Sequence, residues 1–317
     1  MSFVVAQVDY DYPDREIEKQ IIEAAGGVLK SAHLLTEDEV IEFAADADAI
    51  IVQYAPITRK VLESLPKCKI VSRYGIGIDN VDVKAAKELG IYVAHNPQYC
   101  INEVSDHAIA MILSLQRHIT RGTQQVKQGI WDFTRLVPVK AADRTTIGLV
   151  GFGNIGRRTA EKLKVFGFSI IAYDPYVSDE VFKEYGVSSV SLEHVMEQSD
   201  CISVHCALTE ETVNLIDEKM LSLMKTDSFI VNTSRGPVID IEALSVALEM
   251  EKIHGAALDV LPNEPPHSFD RISHMPTLLL TPHIAFYSET SIIELRSTIA
   301  EQVVQVMKGD VPRFNAY

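Results

Sequence analysis

Four cysteines in 317 residues, Cys68, Cys100, Cys201 and Cys206, show no C-x-x-C spacing. Their scarcity argues against a disulfide framework or a thioredoxin-like redox motif, and fits a reduced, cytoplasmic setting. Cys201, His205 and Cys206 crowd one stretch, but the run is strand-like and no fourth ligand is near. Core packing accounts for them, and no metal site is read there. Lysine and arginine never form a block, and 44 acidic residues against 29 basic ones leave a formal charge of −15. Phosphate-rich partners need a basic patch, so nucleic acid and anionic membrane surfaces are excluded as partners. No apolar run approaches the roughly 20 residues of a membrane span. The amino-terminal run up to Val8 is apolar but short, has no basic segment before it, and leads into Asp9, Asp11 and Asp14. It reads as a first strand, not as a signal peptide. Repeats and low-complexity segments are also missing.

What the chain does have is apolar material, 47% of its residues, in a length that suits about two domains. Over the first hundred residues short β-rich runs (Phe3–Val8, Val28–Ala32, Ala49–Gln53, Lys69–Tyr74, Ile91–Ala94) alternate with helical ones (Glu16–Ala25, Glu37–Ala44, Arg59–Leu65, Val83–Leu89). That alternation predicts a parallel sheet with right-handed crossovers. A second series of six strands follows: Thr146–Val150, Ser169–Tyr173, Cys201–His205, Phe229–Asn232, Gly255–Asp259 and Leu278–Thr281. Two long helices of period 3.6 bracket it, one over 102–121 with the stripe Val104, Ala108, Met111, Ile112, Leu115 and Ile119, the other over 289–307. Residues 125–144, with Trp131 and Pro138, have no clear period and read as an extended arm or loop. The expected layout is α/β throughout, with two doubly wound parallel-sheet domains. One is built from 1–101 and 287–317, and the other, 102–286, is inserted into it.

The most informative stretch is Thr146-Ile-Gly-Leu-Val-Gly-Phe-Gly-Asn-Ile-Gly156. A β-branched run, a glycine turn and a helical pattern (Thr159, Ala160, Leu163) are the order a dinucleotide-binding βαβ unit requires. Gly151 permits the sharp turn, Gly153 admits a pyrophosphate to the backbone, and Gly156 lets helix and strand pack closely. The helix start, with free N–H groups and its dipole, then faces the phosphates. Asp174 ends the next strand, eighteen residues beyond Gly156, close to the spacing of the acid that binds the adenosine ribose. An ordinary strand–turn–helix with packing glycines would not require that acid. No arginine follows in Asp174–Ser178, so NAD is favoured over NADP.

Further stretches make the chain resemble the D-isomer-specific 2-hydroxyacid dehydrogenases over essentially its whole length. They are Arg73-Tyr-Gly-Ile-Gly-Ile-Asp-Asn80, Phe166-Gly-Phe168 with Tyr173-Asp-Pro-Tyr176, Ser199–Cys206, Val231-Asn-Thr-Ser-Arg-Gly236, Ala256–Val260 and Thr281–Glu289. The closest likeness is the branch with the C-terminal-binding-protein corepressors, near phosphoglycerate dehydrogenases and glyoxylate/hydroxypyruvate reductases. The resemblance implies a Rossmann NAD-binding domain at 102–286, a flavodoxin-like substrate domain and a homodimer paired through the 102–121 helix and the arm around Trp131. It implies hydride transfer between NAD(H) and a small 2-keto or D-2-hydroxy acid. The alternative it carries is an NAD(H)-sensing, corepressor-like binding protein with incidental turnover.

By the same resemblance Arg235, Glu264 and His283 are the catalytic groups, and the chemistry suits them. A guanidinium fork pairs with a substrate carboxylate or carbonyl. A histidine donates a proton near neutral pH, and a carboxylate orients it and favours its charge. Plain alternatives exist: a surface arginine, a solvated glutamate in Pro262-Asn-Glu-Pro-Pro266, a satisfied loop histidine. Asn154 and Ile155 would bring backbone to the pyrophosphate, Cys206 and Thr233 would line the cofactor cleft, and Asp259 would meet the nicotinamide carboxamide. Asp259 also reads as a structural acid at a strand end. The substrate loop would be Arg73, Tyr74, Gly75, Ile76 and Gly77, with Phe286 as the substrate-facing aromatic. Tyr74, and phenylalanine in place of the corepressors' tryptophan at 286, depart from that branch. The other nine histidines receive no role.

Overall fold

The computed structural model describes residues 2–266, 275 and 277–317. Its backbone divides into two compact units, Met1–Cys100 with Tyr287–Tyr317, and Ile101–Phe286. Along the first part of the chain run β1 (Val4–Gln7), α1 (Glu16–Ala24), β2 (Val28–Ser31), α2 (Glu37–Ala44), β3 (Ala49–Val52), α3 (Arg59–Glu63), β4 (Ile70–Arg73), α4 (Val83–Leu89) and β5 (Tyr92–Ala94). The second unit contributes α5 (Ile101–Gln116), α6 (Ile119–Lys127), β6 (Thr146–Val150), α7 (Asn154–Val165), β7 (Ser169–Tyr173), α8 (Asp179–Glu184), β8 (Ser188–Ser189) and α9 (Leu192–Gln198). It continues with β9 (Cys201–Val204), α10 (Glu218–Ser222), β10 (Phe229–Asn232), α11 (Ile241–Glu249), β11 (Gly255–Leu258) and β12 (Leu278–Leu280). The chain returns to the first unit as α12 (Glu289–Met307).

The first unit is a five-stranded parallel sheet in the order β2-β1-β3-β4-β5. Its inner strands β1, β3 and β4 are mostly apolar and buried, as in α/β sheets covered on both faces, whereas the edge strand β2 is only partly covered. Val8, Val40, Ile50, Val52, Val61, Leu62, Val71 and Val93 form one continuous core. α12 starts at a reciprocal cap, with Ser288 and Ser291 exchanging side-chain and backbone hydrogen bonds. It lies against β4, where Ser72 Oγ donates to the Ile299 carbonyl at 3.0 Å.

The second unit is a seven-stranded parallel sheet in the order β12-β11-β10-β9-β6-β7-β8. Alternation along each strand divides its core in two. Ile147, Leu149, Cys201, Val231 and Ala257 face one side with α5 and α7 residues, while Val150, Ile202, Val204, Ile230 and Leu258 face the other. The chain winds outward from β6 to β8 and then returns through β9 to β12, so the winding reverses between β6 and β9. Open α/β sheets bind ligands in the crevice at the carboxyl ends of such neighbouring strands.

Three expectations need correction. The sheet has a seventh strand, β8. At two residues, Ser188 and Ser189, it is too short to give a period, and pairing with Ile171 and Ala172 alone makes it a strand. The helix expected over 102–121 stops at Gln116 and restarts at Ile119, because His118 adopts φ 52°. Histidine tolerates that left-handed conformation better than most residues, and its ring packs against those of Phe229 and His254. Ile119 continues the apolar stripe in sequence but lies beyond the break and is exposed. The arm is partly ordered, since α6 runs to Lys127 and short 3-10 turns occupy Phe133–Leu136 and Ala142–Arg144.

Candidate active site

Register brings the candidate residues of the second unit to one level. Val150 lies opposite both Tyr173 and Val204, Val204 opposite Asn232, Asn232 opposite Leu258, and Leu258 opposite Leu280. The residues one step beyond are Gly151, Asp174, His205, Thr233, Asp259 and Thr281. Six parallel strands thus deliver their next residues along one sheet edge.

At the turn after β6, Gly151 has φ 98°, and a Cβ there would lie 2.5 Å from the Cys206 nitrogen. A Cβ on Gly156 would lie 2.3 Å from the Gly151 carbonyl oxygen, so only glycine lets α7 approach the turn. Gly153, by contrast, faces open space and caps α7 without any side-chain hydrogen bond. The first turn, with Asn154 and Ile155, is therefore free of a side-chain cap and suited to an anion. Asp174 is held on both oxygens, accepting from the Phe152 N–H at 2.8 Å and the Tyr176 N–H at 3.0 Å. Two buried polar atoms on the same sheet edge, His205 Nδ1 and Thr233 Oγ1, have no hydrogen-bond partner among the described residues. Burial lowers the His205 pKa to about 4 and pushes the Cys206 thiol up to about 12, so both are neutral near pH 7. A glycine cradle, an uncapped helix start, a fixed acid and two unsatisfied polar atoms fit a dinucleotide.

Arg235, Glu264 and His283 come from three loops of the same unit. Asn232 shapes the first, accepting from Ser234 N–H and Oγ at 3.0 Å and donating to the Arg235 carbonyl at 2.9 Å. Gly236 then packs so tightly on the Leu261–Pro262 backbone that a Cβ would sit 2.0 Å from the Leu261 carbonyl carbon. That approach draws the Arg235 and Glu264 loops together. Glu264 accepts from the Leu261 N–H at 2.7 Å through one oxygen and meets His283 Nδ1 at 2.5 Å through the other. Burial by itself would raise the Glu264 pKa. The His283 hydrogen bond and charge, the Leu261 N–H and the Arg235 charge outweigh it and hold the carboxyl below its usual range. His283 sits at φ 51°, anchored by its N–H to the Asp259 carbonyl at 2.8 Å. Phe286 stands edge-on to the His283 ring, with centroids 6.0 Å apart.

The loop after β4 belongs to the first unit. Arg73 folds back so that Nη1 donates to the Tyr74 carbonyl and packs where a Gly75 side chain would be, at φ 128°. The Gly75 carbonyl accepts from the Asn96 N–H at 3.1 Å, and the Ile76 carbonyl meets His95 Nδ1 at 2.7 Å. Gly77 follows, partly exposed. Tyr74 keeps its backbone in this loop while its side chain leaves it. Its side chain is 2% exposed and turned into the core of its own unit, because Glu18 and Gln7 satisfy its hydroxyl there.

The family model for the NAD binding domain of D-isomer specific 2-hydroxyacid dehydrogenases matches residues 109–285, more than half of the chain. The chain belongs to this family. Among its relatives, a D-3-phosphoglycerate dehydrogenase of Synechocystis is 36% identical over 276 residues, which cover 87% of this chain and 50% of that protein. A glyoxylate reductase of Korarchaeum cryptofilum is 36% identical over 278 residues, covering 86% and 83% respectively. A D-lactate dehydrogenase of Aquifex aeolicus, solved with NAD and lactic acid, matches with TM-score 0.87 at 29% identity over 97% of this chain and 96% of that one. The chain spans about half the length of the phosphoglycerate dehydrogenases it matches. No helix among the described residues is long and apolar enough to cross a membrane.

In this 2-hydroxyacid dehydrogenase family member the NAD-binding domain therefore lies in the second unit. Sequence reasoning missed two residues there. His205 reads from sequence as core packing, although it stands inside one of the matching stretches. His107, on α5, meets Thr281 Oγ1 at 3.0 Å, and Thr281 donates to Asp259 at 2.5 Å. The Asp259 carboxylate also accepts from the Ile284 and Ala285 N–H groups at 3.0 and 2.9 Å, so it braces the loop that carries His283. Nothing local in the sequence pairs His107 with a residue 174 positions away.

Proposed function

We propose that this chain is an NAD(H)-linked oxidoreductase interconverting a small 2-keto acid and the corresponding D-2-hydroxy acid. The observation that carries the reading is the 2.5 Å contact between Glu264 and His283 Nδ1, with the Arg235 charge acting on the same carboxylate. Bound along the 151–156 cradle, NADH supplies the hydride that the substrate carbonyl carbon receives. Arg235 holds the substrate carboxylate and polarises the carbonyl through its planar fork. His283, its Nδ1 committed to Glu264, gives the proton on Nε2 to the carbonyl oxygen, and in oxidation takes it back from the hydroxyl. Glu264 fixes the ring and favours its charged form. The Arg73–Gly77 loop of the first unit offers backbone N–H groups suited to a substrate carboxylate, and Phe286 stands beside His283. Asn154 and Ile155 approach the pyrophosphate, and Cys206 and Thr233 line the cleft. Asp174 binds the adenosine ribose and repels a 2′-phosphate, which favours NAD over NADP.

The reading includes a homodimer joined through the 117–138 segment. The α5 stripe is buried against its own sheet, whereas Trp131 and Phe133 are 90% and 76% exposed. Apolar groups left this open are characteristic of association surfaces. Sedimentation showing only a species near 35.2 kDa at micromolar concentration refutes the dimer. The free cysteines fit a reducing compartment. The enzymatic reading is tested by NADH oxidation against glyoxylate, hydroxypyruvate and pyruvate. Turnover with at least one is expected. No oxidation of any of them, together with NAD(H)-dependent self-association, would replace the enzyme with a nucleotide sensor.

A further inference from the structure

We propose that Tyr74 is a positioning residue that sets the Arg73–Gly77 loop through a buried hydrogen-bond chain joining four elements. This deepens the proposed function, and it rests on the reading that the loop binds substrate. The chain begins at Ser31 at the end of β2, whose hydroxyl donates to Gln7 Oε1 at 2.8 Å. Gln7, on β1, donates from Nε2 to the Tyr74 hydroxyl at 2.8 Å, and the hydroxyl donates to Glu18 Oε1 on α1 at 2.7 Å. Glu18 is paired through both oxygens with Arg296 on α12, at 2.8 Å to Nε and 2.7 Å to Nη2. Glu18, Tyr74 and Arg296 are 0%, 2% and 4% exposed. Tyr12 closes the chain from one side, with Arg296 5.1 Å above its ring and Tyr74 edge-on to it.

Tyr74 is at once the inner anchor of this chain and the first residue after β4. Its backbone N–H donates to the Val52 carbonyl at 2.8 Å, and its own carbonyl receives the Arg73 guanidinium. The phenol thus fixes the peptide on which Arg73 rests and from which Gly75 departs at φ 128°. A phenylalanine would fill the same volume but leave Glu18 one donor short and Gln7 without its acceptor. Burial of unsatisfied polar groups is costly, so the side chain would no longer hold a single position. The loop would then sample several, and a carboxylate cradle works only when its N–H groups are already aligned.

Tyr74→Phe tests this with two readouts. Amide hydrogen exchange should accelerate about tenfold in the 74–80 segment and stay unchanged in β1, β3 and β5. The KM of the best keto acid should rise three- to tenfold with kcat within twofold and NADH affinity unaltered. Unchanged exchange in 74–80, or equal acceleration throughout the sheet, overturns the proposal, since the latter is simple destabilisation. Local acceleration with an unaltered KM also overturns it. A wild type that reduces no keto acid defeats the enzymatic reading alone, and the exchange pattern still decides whether Tyr74 positions the loop. Ser31→Ala, which touches only the far end of the chain, keeps the comparison sound if Tyr74→Phe folds poorly. It should give a smaller acceleration confined to the same segment, and none there overturns the proposal.

Discussion

Replacing Arg296 with methionine should destabilise the unit formed by Met1–Cys100 and Tyr287–Tyr317 by about 3–5 kcal/mol. That is the range for removing one member of a buried ion pair. The structure says why the upper scale applies. The Arg296 side chain is 5% exposed and Glu18 0%, and the two meet through a forked contact, the strong form of such pairs. Asp14, the second acid on Arg296, is half exposed, so most of the loss comes from Glu18. In the variant Glu18 would keep the Tyr74 hydroxyl but face no cation. Methionine fills the space without replacing the charge, and the uncompensated carboxylate is the cost. Arg296→Met combined with Glu18→Leu should recover most of the stability, because apolar groups of similar volume can replace a buried pair almost without loss. Urea melts followed by far-UV circular dichroism, fitted with one transition per unit, compare the wild type with both variants. A single-variant loss below about 1 kcal/mol, the value of a solvated pair, would refute the reasoning. So would a double variant no more stable than the single one.

Four further outcomes are expected of the proposed site. His283→Ala should lower kcat for keto-acid reduction by about two to four orders of magnitude, the contribution of a positioned general acid; a loss under tenfold excludes it. Glu264 stays ionised below the usual carboxylate range, so its support of His283 is complete above roughly pH 5 and fades only as the pH falls through its depressed pKa. Glu264→Gln should accordingly shift the pH profile of reduction toward lower pH, and an unshifted profile removes Glu264 from the role. Arg235→Ala should raise KM and lower kcat together, with Arg235→Lys recovering part. A fall in kcat/KM of less than about tenfold, roughly 1.4 kcal/mol, means another group anchors the substrate. NADH should be preferred over NADPH, and Asp174→Ala should narrow the gap mainly by improving NADPH; equal kcat/KM with both cofactors in the wild type refutes that assignment.

Much of this fold is written in local pattern. Apolar runs between helical segments marked each parallel strand longer than two residues, since strands buried on both faces must be apolar throughout. Gly151 and Gly156 were legible because a turn that close to neighbouring backbone admits no side chain. Arg235, Glu264 and His283, and a carboxylate beside the histidine, could be named from resemblance and chemistry, but not the Leu261 N–H that holds the other Glu264 oxygen. The break at His118 escaped because Ile119 continues the period, and periodicity records which side chains are apolar, not where the backbone turns. β8 escaped because two serines carry no period.

The order of elements, the glycine turn and the acid at the end of β7 follow from the sequence by itself, because each depends on residues within about twenty positions of one another. Tertiary structure decided the rest. It turned Tyr74 inward to Glu18, braced the His283 loop on Asp259 and His107, and paired Glu18 with Arg296 across 278 residues. A charge enters a protein interior only where partners already wait for it. Those partners are set by how sheets and helices pack, and spacing along the chain carries no record of that.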